Sequence, residues 1–391
     1  MRNSMNHPSL ALCLAALTAL SASVSCEKTP GAGSGVSFRA KADGTTTKTA
    51  YGDISGDTQD YQMLNWVSGD RIRVYSPQAV KIYTTNEHFA DYKVDGVKTE
   101  GITSVATLLS SDDGNGLGWQ ESGTHYFYSV FPSTDINGSS TITAGTGNSV
   151  TVTGTIPATQ TLSWSGVLGT PDMRYAYMYA ATSTAPQSQV DLTFRPRFTA
   201  FQFEIGPGEH TSIHLTGFTL STTDATRPLS GTFTISGVAG SETLTCPTSG
   251  TGVSTSLTVS MDATLTTGNT LILTVFALPR ELEHLSISFT GDEIGTRSLA
   301  LKQEDEYISF SACKKYRFYG LSFPKVGGIV ASGEGIEWDG SYTISTNDGE
   351  LIAWAANHQL SGTQGEGLSS WVTNAELSGS GGEGISSWTE E

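Results

Sequence analysis

Apolar side chains along this chain fall at alternate positions, in short runs that recur about every ten to fifteen residues. Ile72 and Val74 alternate in "RIRVYS", Val150 and Val152 in "SVTVTG", and Phe201, Phe203 and Ile205 in "TAFQFEI". Leu271, Leu273 and Val275 do so in "LILTV", and Leu285, Ile287 and Phe289 in "LSISF". A period of two places one side chain in a core and the next in solvent, which is the pattern of a half-buried strand. Aromatic and β-branched residues fill the runs, and Gly/Asn/Asp/Ser clusters such as "DDGNG" (Asp112–Gly116) separate them. Helical periodicity is nearly absent. The expectation is therefore an all-β protein of antiparallel sheets with one solvated face.

About 290 residues, from Val36 to Lys325, carry this texture. That length is near the limit of a single core, so two β-sandwiches are expected. The polar stretch Ala185-Pro186-Gln187-Ser188-Gln189 marks the division, giving 36–188 and 189–325. Beyond it, residues 326–391 form a Gly/Ser-rich tail with an internal repeat. "SGTQGEGLSSW" (Ser361–Trp371) returns as "SGSGGEGISSW" (Ser378–Trp388), with a fainter copy in "SGEGIEW" (Ser332–Trp338). Two full copies fall short of the three or so that a repeat array needs for a core. Between the copies, Gly340–Ala355 reads as a strand, a turn and a short helix.

The N-terminus breaks the alternation. Leu10–Leu20 is apolar throughout, too short for a membrane-spanning helix of roughly 20 residues and suited to a secretory signal. Ser23-Val24-Ser25 then precede Cys26. A small residue directly before a cysteine resembles the lipobox of bacterial lipoproteins, although Ser23 stands where leucine is usual. On that reading 1–25 is the signal, Cys26 is acylated, and 26–35 is a flexible tether. The alternative is an ordinary signal cut near Ala22 with Cys26 free. Several acyl chains hold a membrane stably where one holds marginally.

Composition narrows function further. The formal charge of −17 argues against nucleic acid, which wants a basic patch. Of four cysteines, Cys13 leaves with the signal and Cys26 takes lipid, so Cys246 and Cys313 are left as candidates for one disulfide or as two buried thiols. No catalytic constellation stands out. There is no G-x-S-x-G between strand and helix, no C-x-x-C and no phosphate-binding loop. His210 and His214 lie in a loop and a strand, so they read as a solvated pair rather than a zinc site. Asp112, Asp113, Glu304, Asp305 and Glu306 read as solvated loop charge. No enzyme, metal or cofactor is expected.

Several blocks, in order, resemble the fimbrillin (type V pilin) family of Bacteroidales. They are "TKTAYG" (Thr47–Gly52), "LNWVSGDRIRVYS" (Leu64–Ser76), "HYFYSVFPS" (His125–Ser133), "GTIPATQTL" (Gly154–Leu162), "VDLTFRPRFTAFQFEI" (Val190–Ile205), "TVFALPRELEHLSISFT" (Thr274–Thr290) and "CKKYRFYGLSF" (Cys313–Phe323). Within them, Gly69-Asp70 reads as a turn, Trp66 as a core or capping residue, and Pro196 as a bulge or edge with Arg195 and Arg197 as edge gatekeepers.

The resemblance implies two tandem transthyretin-like, Greek-key sandwiches in a surface lipoprotein precursor of the outer membrane. It implies removal of the first strand by a trypsin-like protease and its replacement by a strand from another pilin subunit. Val36–Ala40 is then the removable strand, and Arg39, Lys41 and Lys48 are the candidate cut sites, Arg39 first. The long tail suits a tip or accessory subunit of a pilus, structural or adhesive. The rival reading is a non-polymerising surface lipoprotein that binds a glycan or host protein.

Overall fold

The computed structural model describes residues 33–331, apart from 43–49, 56–60, 85, 101–102, 111–114, 121, 134–139 and 303–306. It is all-β, with one short 3-10 turn at Met173–Tyr175 among the described residues. The alternating runs become strands with alternating burial. Val150–Ile156 and Ser256–Thr266 bury every second residue along their lengths.

Seven strands close into a barrel in the first body. In sheet order they are Phe38–Ala42, Val190–Pro196, Met178–Thr184, His125–Phe131, Arg71–Tyr75, Phe89–Glu100 and Thr103–Ser110, which returns to the first. Its core holds Phe38, Trp66, Tyr92, Trp119, Phe127, Phe131 and Phe194. Trp66 is a core residue, edge-on to Phe131 at 5.5 Å and to Phe194 at 5.1 Å. The turn beside it forms as expected. Gly69 takes φ 98°, the Asp70 amide donates to the Val67 carbonyl at 3.1 Å, and the Val67 amide donates back to the Asp70 carboxylate at 2.9 Å.

The second body is two facing sheets. One runs Thr159–Gln160, Ser256–Thr266, Ser212–Ser221, Leu285–Gly291, Gly295–Lys302. The other runs Leu162–Ser165, Leu168–Pro171, Leu271–Ala277, Thr199–Gly206, Lys314–Ser322, Val330–Ala331. Phe201, Phe203, Phe218, Phe289 and Phe318 fill the space between. A third cluster joins the bodies. A four-stranded sheet (Thr141–Ala144, Val150–Ile156, Gly231–Gly237, Thr243–Thr245) covers Tyr75, Tyr128 and Tyr179 of the barrel together with Phe198, Phe276 and Leu278.

Sheet membership departs from the expected division at 188/189. Ala185–Gln189 is the turn between two neighbouring barrel strands, and the chain crosses to the second body at Arg197–Phe198. Thr159–Pro171, conversely, pairs with the second body. A polar proline stretch suits a hairpin as well as a linker, and local composition does not separate them. Val190–Pro196 pairs with Phe38–Ala42 over Val190–Phe194 and with Met178–Thr184 at Arg195 and Pro196. Pro196 is its last residue, where the missing N–H breaks no ladder, and the Arg197 amide donates to the Tyr177 carbonyl at 2.9 Å. Arg197 lies over the Tyr179 ring, 5.2 Å from its centroid.

The tail starts later than expected. Ile329 is buried in the second core, and Val330–Ala331 pairs with Leu321 and Ser322. The repeats lie outside the described residues. Cys246 and Cys313 are not bonded to each other, so of the two readings the disulfide is corrected and the pair of separate thiols stands. Cys313, at φ 64°, directs its thiol to the Pro196 carbonyl at 2.9 Å. Cys246 instead packs against the third cluster, where burial pushes its thiol pKa up.

Candidate strand-exchange site

The segment that closes the barrel is residues 33–42. Its leading part is tied to the short strand Leu117–Gly118. The Trp119 amide donates to the Ser34 carbonyl at 2.9 Å, and the Val36 amide donates to the Leu117 carbonyl at 2.8 Å. Phe38–Ala42 then lies between two walls. It runs antiparallel to Thr103–Ser110, with Phe38 opposite Leu108 and Ala42 opposite Ser104. It runs parallel to Val190–Pro196, with Phe38 opposite Val190 and Ala42 opposite Phe194.

Alternation divides the strand's two faces. Phe38, Ala40 and Ala42 are fully buried, and Val36 nearly so. Phe38 meets Tyr92 and Phe127 edge-on, each at 5.2 Å. Burying one phenylalanine, one valine and two methyl groups contributes about 5–8 kcal/mol before the cost of ordering the chain. The outer face carries the charges. The Arg39 guanidinium grips Asp191 with two bonds, Nε to Oδ1 at 2.8 Å and Nη2 to Oδ2 at 2.9 Å. Lys41 Nζ reaches the same carboxylate at 2.5 Å, and Glu100 lies 4.0 Å from Arg39. The Arg39 bonds, assisted by Lys41 and opposed by partial burial, hold the Asp191 pKa down at about 2.

The walls do not depend on this strand alone. Thr103–Ser110 is also paired with Phe89–Glu100, and Val190–Pro196 with Met178–Thr184. Removing Phe38–Ala42 therefore opens a slot between Thr103–Ser110, which stays paired along its length, and Val190–Pro196, which stays paired at Arg195 and Pro196.

Of the candidate cut sites, Arg39 and Lys41 sit inside the paired strand and share one counter-ion. Lys48 and Cys26 lie outside the described residues, as do Asp112, Asp113 and Glu304–Glu306. The histidines separate. His210 Nε2 is 3.2 Å from the Pro324 carbonyl. His214 stands between Asp292 (Nδ1 to Oδ2, 2.7 Å) and Asp262 (Nε2 to Oδ1, 2.7 Å), and its amide donates to Glu293 at 2.8 Å. These carboxylates raise the His214 pKa to about 8. Its two nitrogens face different partners, which makes a clamp. Among the described residues no His/Cys/Asp/Glu group has metal-binding geometry.

Two residues in the quoted blocks carry roles that sequence reasoning passed over. Asp191 in "VDLTF" is the counter-ion of the first strand. The two bases alternating in "FRAKA" were the signal that one was needed. Gln160 in "IPATQ" acts as a fragment of strand. Its amide donates to the Phe276 carbonyl at 2.5 Å and accepts from the Phe276 amide at 3.0 Å, fully satisfying that residue's backbone.

A family model described as fimbrillin-like matches residues 56–334. No curated protein matches the chain. Among solved structures it is similar to a proposed cell adhesion protein from Bacteroides ovatus (13% identity, TM-score 0.44, covering 77% of this chain and 96% of that one). It is similar to another from Bacteroides uniformis (14% identity, TM-score 0.44, 77% and 96%). It is also similar to the C-terminally truncated tip fimbrial protein of Porphyromonas gingivalis (9% identity, TM-score 0.31, 76% and 99%).

Proposed function

The chain belongs to the fimbrillin-like family, and from that premise we propose that it is a pilus or adhesion subunit at the cell surface. Its first strand gives way, after proteolysis, to a strand from a neighbouring subunit. The observation that carries this reading is the placement of Phe38–Ala42, which is bonded on both sides by walls that each have a second partner. A replacement ribbon with suitable side chains restores both ladders and the same buried surface.

The geometry also bears on the cut. A protease cleft takes an extended, unpaired chain, and Arg39 and Lys41 are in a ladder with their charges bound to Asp191. Of the three candidates we therefore take Lys48, which follows the strand in the sequence, as the cut site, and the freed ribbon leaves by exchange. Before the cut, acylated Cys26 keeps the precursor at the outer membrane. A tip or accessory place in the assembly accords with the long tail.

The test is limited trypsin digestion of the purified protein, followed by N-terminal mass spectrometry and electron microscopy. A new N-terminus at Thr49 together with filaments or head-to-tail oligomers is expected. A cleaved protein that stays monomeric at high concentration with residues 33–42 still bound would overturn the reading in favour of a static surface binder.

A further inference from the structure

We propose that the slot occupied by Phe38–Ala42 selects its replacement strand by a written pattern: a large apolar residue, a base facing Asp191, an alanine, a second base reaching the same carboxylate, and a second alanine. This rests on the exchange reading above and adds the chemistry of the partner to it.

Each position of the pattern has its own cause. The first site is a deep aromatic pocket, since Phe38 is fully buried against the edges of Tyr92 and Phe127. The third and fifth sites are closed. Ala40 and Ala42 have no exposed surface, and Ala42 sits in register with Phe194, which is itself packed on Trp66. Interiors at native packing density do not accept extra methylenes without displacing neighbours. The second site faces Asp191, whose carboxylate is oriented by the wall strand and holds the Arg39 guanidinium at two points. With the first strand gone, Asp191 loses both of its cations. An incoming apolar residue forgoes that ion pair and leaves the part-exposed carboxylate to water, a modest loss for a pair at this exposure.

This chain's own tail illustrates the discrimination. Past residue 331 the large-x-Ala-x-Ala spacing occurs once, in Leu351-Ile352-Ala353-Trp354-Ala355. Its sizes fit, but it would set Ile352 against Asp191. The Leu351–Ala355 stretch of the tail is accordingly a weaker donor for this slot than a strand that carries the base.

The test uses the full chain with a sequence-specific protease site placed between residues 43 and 49. After cutting, residues 33–42 are held only by non-covalent contacts, and labelled peptides compete for the slot. The peptide of residues 33–42 is expected to bind tightest. Its Arg39→Gln/Lys41→Gln form is expected to bind about three- to tenfold more weakly. Its Ala40→Leu form is expected to lose roughly ten- to a hundredfold, and a peptide containing residues 351–355 at least as much as the glutamine form. In Asp191→Asn protein the preference for the basic peptide disappears while the Ala40→Leu penalty remains. Asp191→Lys protein should prefer a peptide with Arg39→Glu and Lys41→Glu. Equal binding of the basic and glutamine peptides, or a preference that survives Asp191→Asn, overturns the pattern alone. Failure of every peptide to displace residues 33–42 overturns the exchange reading and the pattern with it.

Discussion

The barrel and the second body solve one problem in opposite ways. An open sheet presents unpaired N–H and C=O groups that invite another chain. The second body leaves its sheets open but trims their edges. Three of its four edge strands, Thr159–Gln160, Leu162–Ser165 and Val330–Ala331, have four residues or fewer, and the fourth, Gly295–Lys302, carries Arg297. The barrel removes its edges by closure, yet the closing strand has only five residues and buries two alanines. In the second body the long strands Ser212–Ser221 and Ser256–Thr266 lie inside the sheet, each with neighbours on both sides. The difference teaches that the barrel's closure passes through a short strand, so local loss there re-creates two edges at once.

The largest expected effect breaks that closure. Phe38→Ala empties an aromatic pocket and should cost about 3–5 kcal/mol in denaturant unfolding. Hydrogen exchange should speed up in Thr103–Ser110 and Val190–Pro196 while Ser212–Ser221 keeps its protection. Equal loss of protection in both bodies would refute the contrast. Gln160→Ala comes next. It strands the backbone polar groups of Phe276 and should cost about 1–3 kcal/mol, seen as a lower thermal midpoint with the barrel closure intact.

A smaller effect is expected at Asp191, because its carboxylate and the two cations are 40%, 31% and 29% exposed. Asp191→Asn should cost about 0.5–1 kcal/mol. The pKa of Asp191 is depressed in the folded state, so its contribution is complete above the ordinary carboxylate pKa and is lost as pH falls toward about 2. Protection of residues 33–42 should therefore drop across that acid window in the native protein and not in the variant. The smallest effect belongs to the second body. His214 has a raised pKa, so its clamp is complete below the ordinary histidine pKa and is lost as pH rises through about 8. An NMR titration of its ring should centre near 8, and Asp292→Asn should bring it back toward the ordinary value.

Much of this architecture was legible because alternation is a local property. "FRAKA", "RIRVY" and "TAFQFEI" each state which side chains face a core. What they do not state is which strand lies beside which. Ala185–Gln189 has the composition of a linker and is a hairpin turn, since composition does not encode where the flanking strands pair. The partnership of Arg39 with Asp191 spans 152 residues, a separation that only the closed sheet defines. Gln160 was visible inside a motif, but a side chain that imitates a strand has no periodic signature. Cys246 and Cys313 show the same limit, since the sequence left a disulfide and two separate thiols both open and only the fold decides between them.

The strand Phe38–Ala42 runs with one wall and against the other. Parallel and antiparallel ladders place their donors and acceptors differently, so the two walls together read the direction of whatever lies between them. A reversed ribbon would meet each wall with the other's bonding pattern. Molecules linked through such a slot would all point the same way, and since giver and receiver are different surfaces, nothing obliges the line to close into a ring. A short strand with mixed neighbours is thus enough to give an assembly a front and a back.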